Sequence, residues 1–568
     1  MKFNKQLLAM LVGTSVFLTA CGGDSDGSTS TKPADPVQPE QPSETVTTIQ
    51  DVATVVSEKA NIAVFGEVNS EYFTDITLTS GQTVLLLDDN DNEAQATGFA
   101  SQVALNTSSA QTQARSNSVV SNQDLDQFSK FYLGLFTESL VKQNAKVNIL
   151  TNRVSMNAQG EVVNVILDID FSNANELTKV RDLLLSVLNS NSSVTTPVVV
   201  QASDKKLRLN LSFWLANQSG YIWANTYVAS NSEKVNQKYG DLNIASALSS
   251  NAVIEVATAK ETFTQTTQSA NAVDILWNID SSGSMSEEQR NLANGAAQFF
   301  KSLNQAGVDY RLAVNTQDAY ACKSLRTLKD KTTNFIDRNT PDAEQEWATL
   351  AQPGTYGSAT ETGFYCVREA DLTGFDRPNV KNLVVFVSDE AENETYWQSS
   401  PVYSNYTRRD FNDYKNYFLS TNTTYFSIVG TSDHIRPTFA DPTISWSTPG
   451  FECNGQGGSA EGGGHFKEIA RLTGGASASI CADATSWNVV FDDIIRVATG
   501  LASQFSLKQV PIPSTVKVTV NGQNVARDTT HRQGFDLVYS NSGVSLVFYG
   551  TALPKAGETV SVSYDYFK

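Results

Sequence analysis

The feature that most constrains this chain is an apolar run, Val273 to Trp277, that passes directly into Asn278-Ile279-Asp280-Ser281-Ser282-Gly283-Ser284. The run reads as a buried strand. A sharp loop follows, then a helix. Ser286 and Gln289 have the spacing of a capping box, which predicts a helix start near Glu287. Leu292, Ala296, Phe299, Phe300 and Leu303 share one face of that helix, and Gly307 is placed to end it. Val308 to Asn315 reads as the next strand. Strand, helix and strand at this spacing predict a βαβ unit, hence a parallel sheet buried on both faces. Val384 to Val387 and Tyr425 to Val429 add further central strands.

In such a sheet, ligands bind outside the carboxyl ends of the strands. Asp280, Ser282 and Ser284 lie at that edge. Alternate residues of an extended loop point the same way, so the three side chains can converge on one point. One carboxylate with neutral hydroxyls suits a small hard cation such as Mg²⁺, which takes oxygen ligands and keeps some waters. Gly283 permits the tight turn this needs.

Asp280-x-Ser282-x-Ser284 resembles the metal-ion-dependent adhesion site of von Willebrand factor type A domains. Two later segments extend the resemblance. Tyr356 to Gly363 looks like that family's second loop, with Thr360 as the matching ligand and Thr362 as the alternative. Val384 to Asp389 looks like its later strand, with Asp389 as the closing carboxylate. The resemblance covers roughly Ala272 to Leu501. It implies a central α/β, doubly wound, mostly parallel sheet of Rossmann-like type. It also implies a site built from Asp280, Ser282, Ser284, Thr360 and Asp389 around Mg²⁺, or Ca²⁺ or Mn²⁺. Family members often carry Gly after the last Asp, whereas this chain has Glu390, with Glu392 and Glu394 close by. Those glutamates read as a solvated acidic turn.

The rest of the 568 residues read as a multidomain exported protein. Lys2 and Lys5 precede an apolar stretch, Leu7 to Phe17, too short to span a bilayer. With Leu18-Thr19-Ala20-Cys21 it reads as a secretory signal over residues 1–20. The ending resembles the lipobox of bacterial lipoproteins, which implies lipidation of Cys21. Gly22 after it favours the outer membrane by analogy with lipoprotein sorting. Residues 21–46 read as a flexible tether. Residues 47–105 read as a small β domain, 106–123 as a linker and 124–258 as an α+β domain. Residues 259–271 read as a second linker, 272–503 as the segment resembling the A domain and 504–568 as a small β-sandwich. Asp88 to Asn92 has oxygen ligands at calcium-loop spacing, but Glu93 and Phe99 stand where an EF-hand needs Gly and Glu. An acidic hairpin turn fits better.

Net charge is −19, and losing Lys2 and Lys5 takes it to about −21. A surface this acidic repels nucleic acid and anionic lipid, which leaves the anchor as the membrane contact. Besides Cys21 there are Cys322, Cys366, Cys453 and Cys481, an even number in an exported chain, which suggests two disulfides. Three pairings are possible; Cys322–Cys366 with Cys453–Cys481 is favoured. His465 lacks a nucleophile partner nearby in sequence, so no Ser-His-Asp triad is supported.

The family resemblance implies a surface-anchored lipoprotein that binds a protein or other acidic ligand. The partner's carboxylate would fill an open position on the ion. An envelope assembly or scaffold role is the alternative. A metal-assisted hydrolase fits less well, because such sites supply His or several carboxylates with a general base. A non-enzymatic binder is therefore expected.

Overall fold

The strand expected at Val273 runs from Ala272 to Ile279 and is buried beyond its first residue. It pairs in parallel with Asp309–Thr316 on one side and Lys381–Val387 on the other, with Ile275 opposite Leu312 and Leu383. Thr423–Val429 and Ala476–Ser479 continue the parallel block outward. Odd-numbered residues of the central strand face one way. Val273, Ile275, Trp277 and Ile279 meet Phe299, Trp347 and Phe491 from helices Ala296–Gln305, Ala343–Leu350 and Trp487–Ala502. Leu276 faces the other way, with Val384 and Phe386, against Phe364, Tyr414 and Phe466. Those three aromatics stand on helices Gly363–Arg368, Phe411–Ser420 and Gly464–Leu472. Helices on both faces explain why these strands read as unbroken apolar runs.

The computed structural model describes residues 49–567 apart from 92–94, 106–121, 158, 172–175, 189–205, 241, 248–255, 266–271, 306, 359–360, 379, 393–410, 422, 431–452, 456–457, 483–485, 503–504, 530 and 541–542. The described residues belong to one unit that begins at Pro42. The signal segment, Cys21 and the tether lie outside them, as does nearly all of the expected linker 106–123.

The expectation of a doubly wound, mostly parallel sheet with separate β and α+β domains before it is corrected. The parallel block is part of a single 13-stranded mixed sheet. Ala476–Ser479 pairs antiparallel with Lys146–Asn157, Ala478 opposite Thr151. From there the sheet runs antiparallel through Gly160–Asp170, Lys206–Ala216, Ser219–Val228, Ala96–Ala104 and Thr83–Asp89 to Phe73–Thr77. Four of its pairings are parallel. Eight are antiparallel. The physical reason is that Ala476–Ser479 offers a free ladder edge, which Lys146–Asn157 completes. Periodicity reports the burial of one strand and carries nothing about its neighbours.

Two further local readings change. Val256–Thr264, which contains much of the polar stretch read as a linker, is a strand. It pairs antiparallel with Thr559–Phe567 along its whole length. Its apolar cover, including Val560, Val562 and Tyr564, comes from about three hundred residues away. The single helix expected after the Asp280 loop is two, Ser286–Asn294 and Ala296–Gln305. They meet at Gly295, where a Cβ would collide with the Phe491 ring. Gly307 follows with φ +67°, as a helix-ending glycine does.

Cys322 and Cys366 are disulfide-bonded, with Cα atoms 5.3 Å apart. Cys481 is disulfide-bonded as well, while the side chain of Cys453 lies outside the described residues. Among the described residues no helix is long and apolar enough to cross a membrane.

Candidate functional site

Asp280 follows the last residue of the central strand and is 1% exposed. Its backbone N–H donates to Val387 O at 2.9 Å, which ties the turn to the neighbouring strand. Its carboxylate accepts from Ser282 N at 2.7 Å through one oxygen and from Ser388 Oγ at 2.9 Å through the other. The hydroxyls of Ser282 and Ser284 lie 3.2 Å apart. Ser284 in turn bonds the carboxylate of Asp389, which stands just past the end of Lys381–Val387. The two adjacent strands thus bring Asp280, Ser282, Ser284 and Asp389 to one rim. Gly283 does not adopt a positive φ, so the turn does not depend on glycine as expected.

Thr360 lies outside the described residues. Thr362, the alternative, is fully buried and donates its hydroxyl to Gln317 O at 2.9 Å, at the start of helix Gly363–Arg368. The second loop nonetheless docks on the first, because Gly357 N donates to Ser281 O at 2.9 Å. A Cβ at Gly357 would collide with Ser281 Oγ, so this approach requires glycine.

Sequence reasoning missed the residues that brace this rim. Gln289 does not close a capping box, since the N-cap of its helix is Met285 and has no side-chain bond. Its amide instead donates to Asp280 O and Gly354 O, each at 2.9 Å, and accepts from Gly354 N at 3.3 Å. One side chain clamps both loops. Gln317 does the same beneath them, donating to Asn278 O at 3.2 Å and Val387 O at 3.1 Å. No local pattern marks either glutamine, because their bonds go to backbone 9 to 70 residues away. Ser388 could have been noticed, as a hydroxyl between a strand end and the proposed closing Asp389.

The electrostatics are one-sided. Burial and the neighbouring Asp389 push Asp280 up to about 7, against the bonds from Ser282 and Ser388. Burial, then Glu390, raises Asp389 to about 6. Glu288 rises to about 7 through burial and the charges of Asp389 and Glu287. Burial and the charges of Asp280 and Glu390 carry Glu361 well above the usual carboxylate range. No lysine or arginine pairs with Asp280, Asp389 or Glu288 among the described residues. Asp389 Oδ1 and Glu288 Oε2 are buried there without a hydrogen-bond partner. Glu392 is buried rather than part of a solvated turn, while Glu394 lies outside the described residues.

Among the described residues, no three His, Cys, Asp or Glu side chains group as a metal cage. The rim is a different donor set, two carboxylates completed by hydroxyls. Hard oxygens with an unpaired buried carboxylate atom fit a small divalent cation that retains water. His465 is stacked on Phe411, with ring centroids 4.0 Å apart.

No family model matches the chain, and no curated relative does. Among solved structures it is similar to the pilus adhesin SpaC from Lactobacillus rhamnosus GG in its open conformation, at 11% identity and a TM-score of 0.27. That match covers 55% of this chain and 41% of the adhesin, under half of its length. The PilB minor pilin from Streptococcus sanguinis matches at 10% identity and a TM-score of 0.25, over 63% of this chain and 79% of the pilin. Scores this low carry no argument about fold or function.

Proposed function

We propose that the rim formed by Asp280, Ser282, Ser284 and Asp389 holds a divalent cation, Mg²⁺ in the first instance, and that the protein binds a partner through it. Thr360 would add a ligand from the second loop. Bound there, the ion would neutralise the paired carboxylates and offer a position to an acidic group of the partner. The chain's own residues do the rest. Ser282 N and Ser388 orient Asp280, Ser284 orients Asp389, and Gln289 holds the two loops in register. The protein acts as a binder rather than an enzyme, anchored through Cys21 to the bacterial outer membrane, and it serves attachment. A scaffold role within the envelope would use the same chemistry with a different partner.

One observation carries this reading. Among the described residues, two carboxylates at the ends of adjacent strands are buried together without a basic neighbour, and Asp389 Oδ1 has no hydrogen-bond partner. Leaving such a group unpaired costs several kilocalories unless a cation compensates. Calorimetric titration with Mg²⁺ and thermal melts with and without chelator test it. A ligand at about a hundred times its Kd stabilises by about 2.7 kcal/mol. Asp280→Ala should abolish both the binding heat and the stabilisation while leaving the circular dichroism unchanged. Equal Mg²⁺ stabilisation of wild type and variant would remove the proposal.

A further inference from the structure

A cavity of about 80 Å³ lies beside the junction of the sheet's parallel and antiparallel parts. Two antiparallel strands form its floor. Val154 of Lys146–Asn157 stands opposite Val163 of Gly160–Asp170, and Glu161, two residues before Val163, shares that face. Leu125 and Asp126 reach it from the start of helix Asn122–Lys142. Arg471 and Leu472 reach it from the last turn of helix Gly464–Leu472. The four aliphatic side chains exclude water from part of the wall, which strengthens any charge contact made inside.

The charges in this space are held apart. Arg471 forms no hydrogen bond or ion pair through its side chain with Asp126, Glu161 or any other described residue. Opposite charges sharing so small a cavity would close on each other if their backbones allowed it. Here each stands on a different element, and Asp126 is drawn to Lys130 of its own helix at 3.2 Å. With Lys130 counted, two positive groups face two negative ones. A net ion would leave one side of such a site unmatched, whereas a ligand charged at both ends matches each. An apolar cavity of about 150 Å³ admits benzene, so this one holds about three to five heavy atoms.

We propose that this cavity binds a small zwitterion of the amino-acid class, glycine being of the size that fits. The ligand's carboxylate would take the planar fork of Arg471 N–H donors. Its ammonium would donate to Asp126 and Glu161. A carboxylate has about four lone-pair sites, so each accepts bonds beyond those it already makes. The site is separate from the Asp280 rim. Glu461, before helix Gly464–Leu472 begins, donates its N–H to Asp389 O, while Arg471 stands in the last turn of that helix.

Calorimetric titration of the full chain with glycine, acetate and methylammonium, with a thermal melt in each, tests this. Glycine should bind and raise the melting temperature. Acetate and methylammonium each carry half of the ligand and should bind at least about tenfold more weakly (about 1.4 kcal/mol). Arg471→Gln has no side-chain bond to lose among the described residues, so it should keep the wild-type circular dichroism. It should bind glycine at least about tenfold more weakly, and Asp126→Asn should weaken glycine as well. No glycine binding by either readout at up to about 10 mM overturns the inference. So does acetate or methylammonium that binds as tightly as glycine, and so does an unchanged glycine affinity in Arg471→Gln.

Discussion

At the scale of single residues, the rim stores unfavourable charge that can be read without any partner. A carboxyl raised in the folded state keeps its proton longer there than in the unfolded chain. Between the ordinary value of 3.8 and the folded values of about 6 for Asp389 and about 7 for Asp280, the folded state binds more protons. Stability from these groups is therefore full at low pH and falls as pH rises through that window. In chelator, Asp389→Asn should remove much of this fall and stabilise the protein at neutral pH by on the order of 1–3 kcal/mol. The same substitution should abolish stabilisation by Mg²⁺. Melting temperatures of both proteins from acid to neutral pH check the sign, and a variant less stable than wild type in chelator would contradict it. Gln289→Ala tests the clamp. It deletes bonds to two loops at a site 3% exposed, at a cost of about 1–3 kcal/mol by denaturant titration, and should weaken Mg²⁺ binding without abolishing it.

At the scale of elements, the rim depends on how strand ends are tied to the helices that follow. Cys322 lies in the loop after Asp309–Thr316, and Cys366 lies within helix Gly363–Arg368. Their bond spans 44 residues of sequence and closes the segment that carries the second loop. Asn315 runs beneath it, donating to Cys322 O at 3.0 Å and Cys366 O at 3.1 Å. Replacing both cysteines by alanine should cost about 2–4 kcal/mol, most of it through the freed unfolded chain. Denaturant midpoints of the two proteins measure this. Equal midpoints would mean that the packing around Phe364 alone holds the helix.

For the whole molecule, the mixed sheet makes the parts interdependent. Arg153, from the antiparallel side, pairs with Asp493 of helix Trp487–Ala502 at 3.1 Å, both nearly buried. The antiparallel strand Lys146–Asn157 covers the ladder edge of Ala476–Ser479. A fragment of residues 272–503 should therefore unfold at a lower temperature than the full chain and self-associate through the bared edge. Calorimetry and sedimentation test this, and a monomeric fragment as stable as the parent would show that the sheet junction contributes nothing.

What the sequence by itself determined is local. Unbroken apolar runs such as Val384 to Val387 marked strands buried on both faces, because burial on each side removes polar alternation. Asp280, Ser282 and Ser284 were legible from their alternate spacing after such a run, whereas Asp389 was pointed to by the resemblance to the A-domain site. Cys322–Cys366 was among the pairings the cysteine count allowed. The tertiary structure alone decided which strands share a sheet, that Val256–Thr264 has a partner at the far end of the chain, and that Gln289 and Gln317 brace the rim. Ladder partners and side-chain-to-backbone bonds join residues tens to hundreds of positions apart, and no residue carries a mark of a neighbour that only folding brings to it.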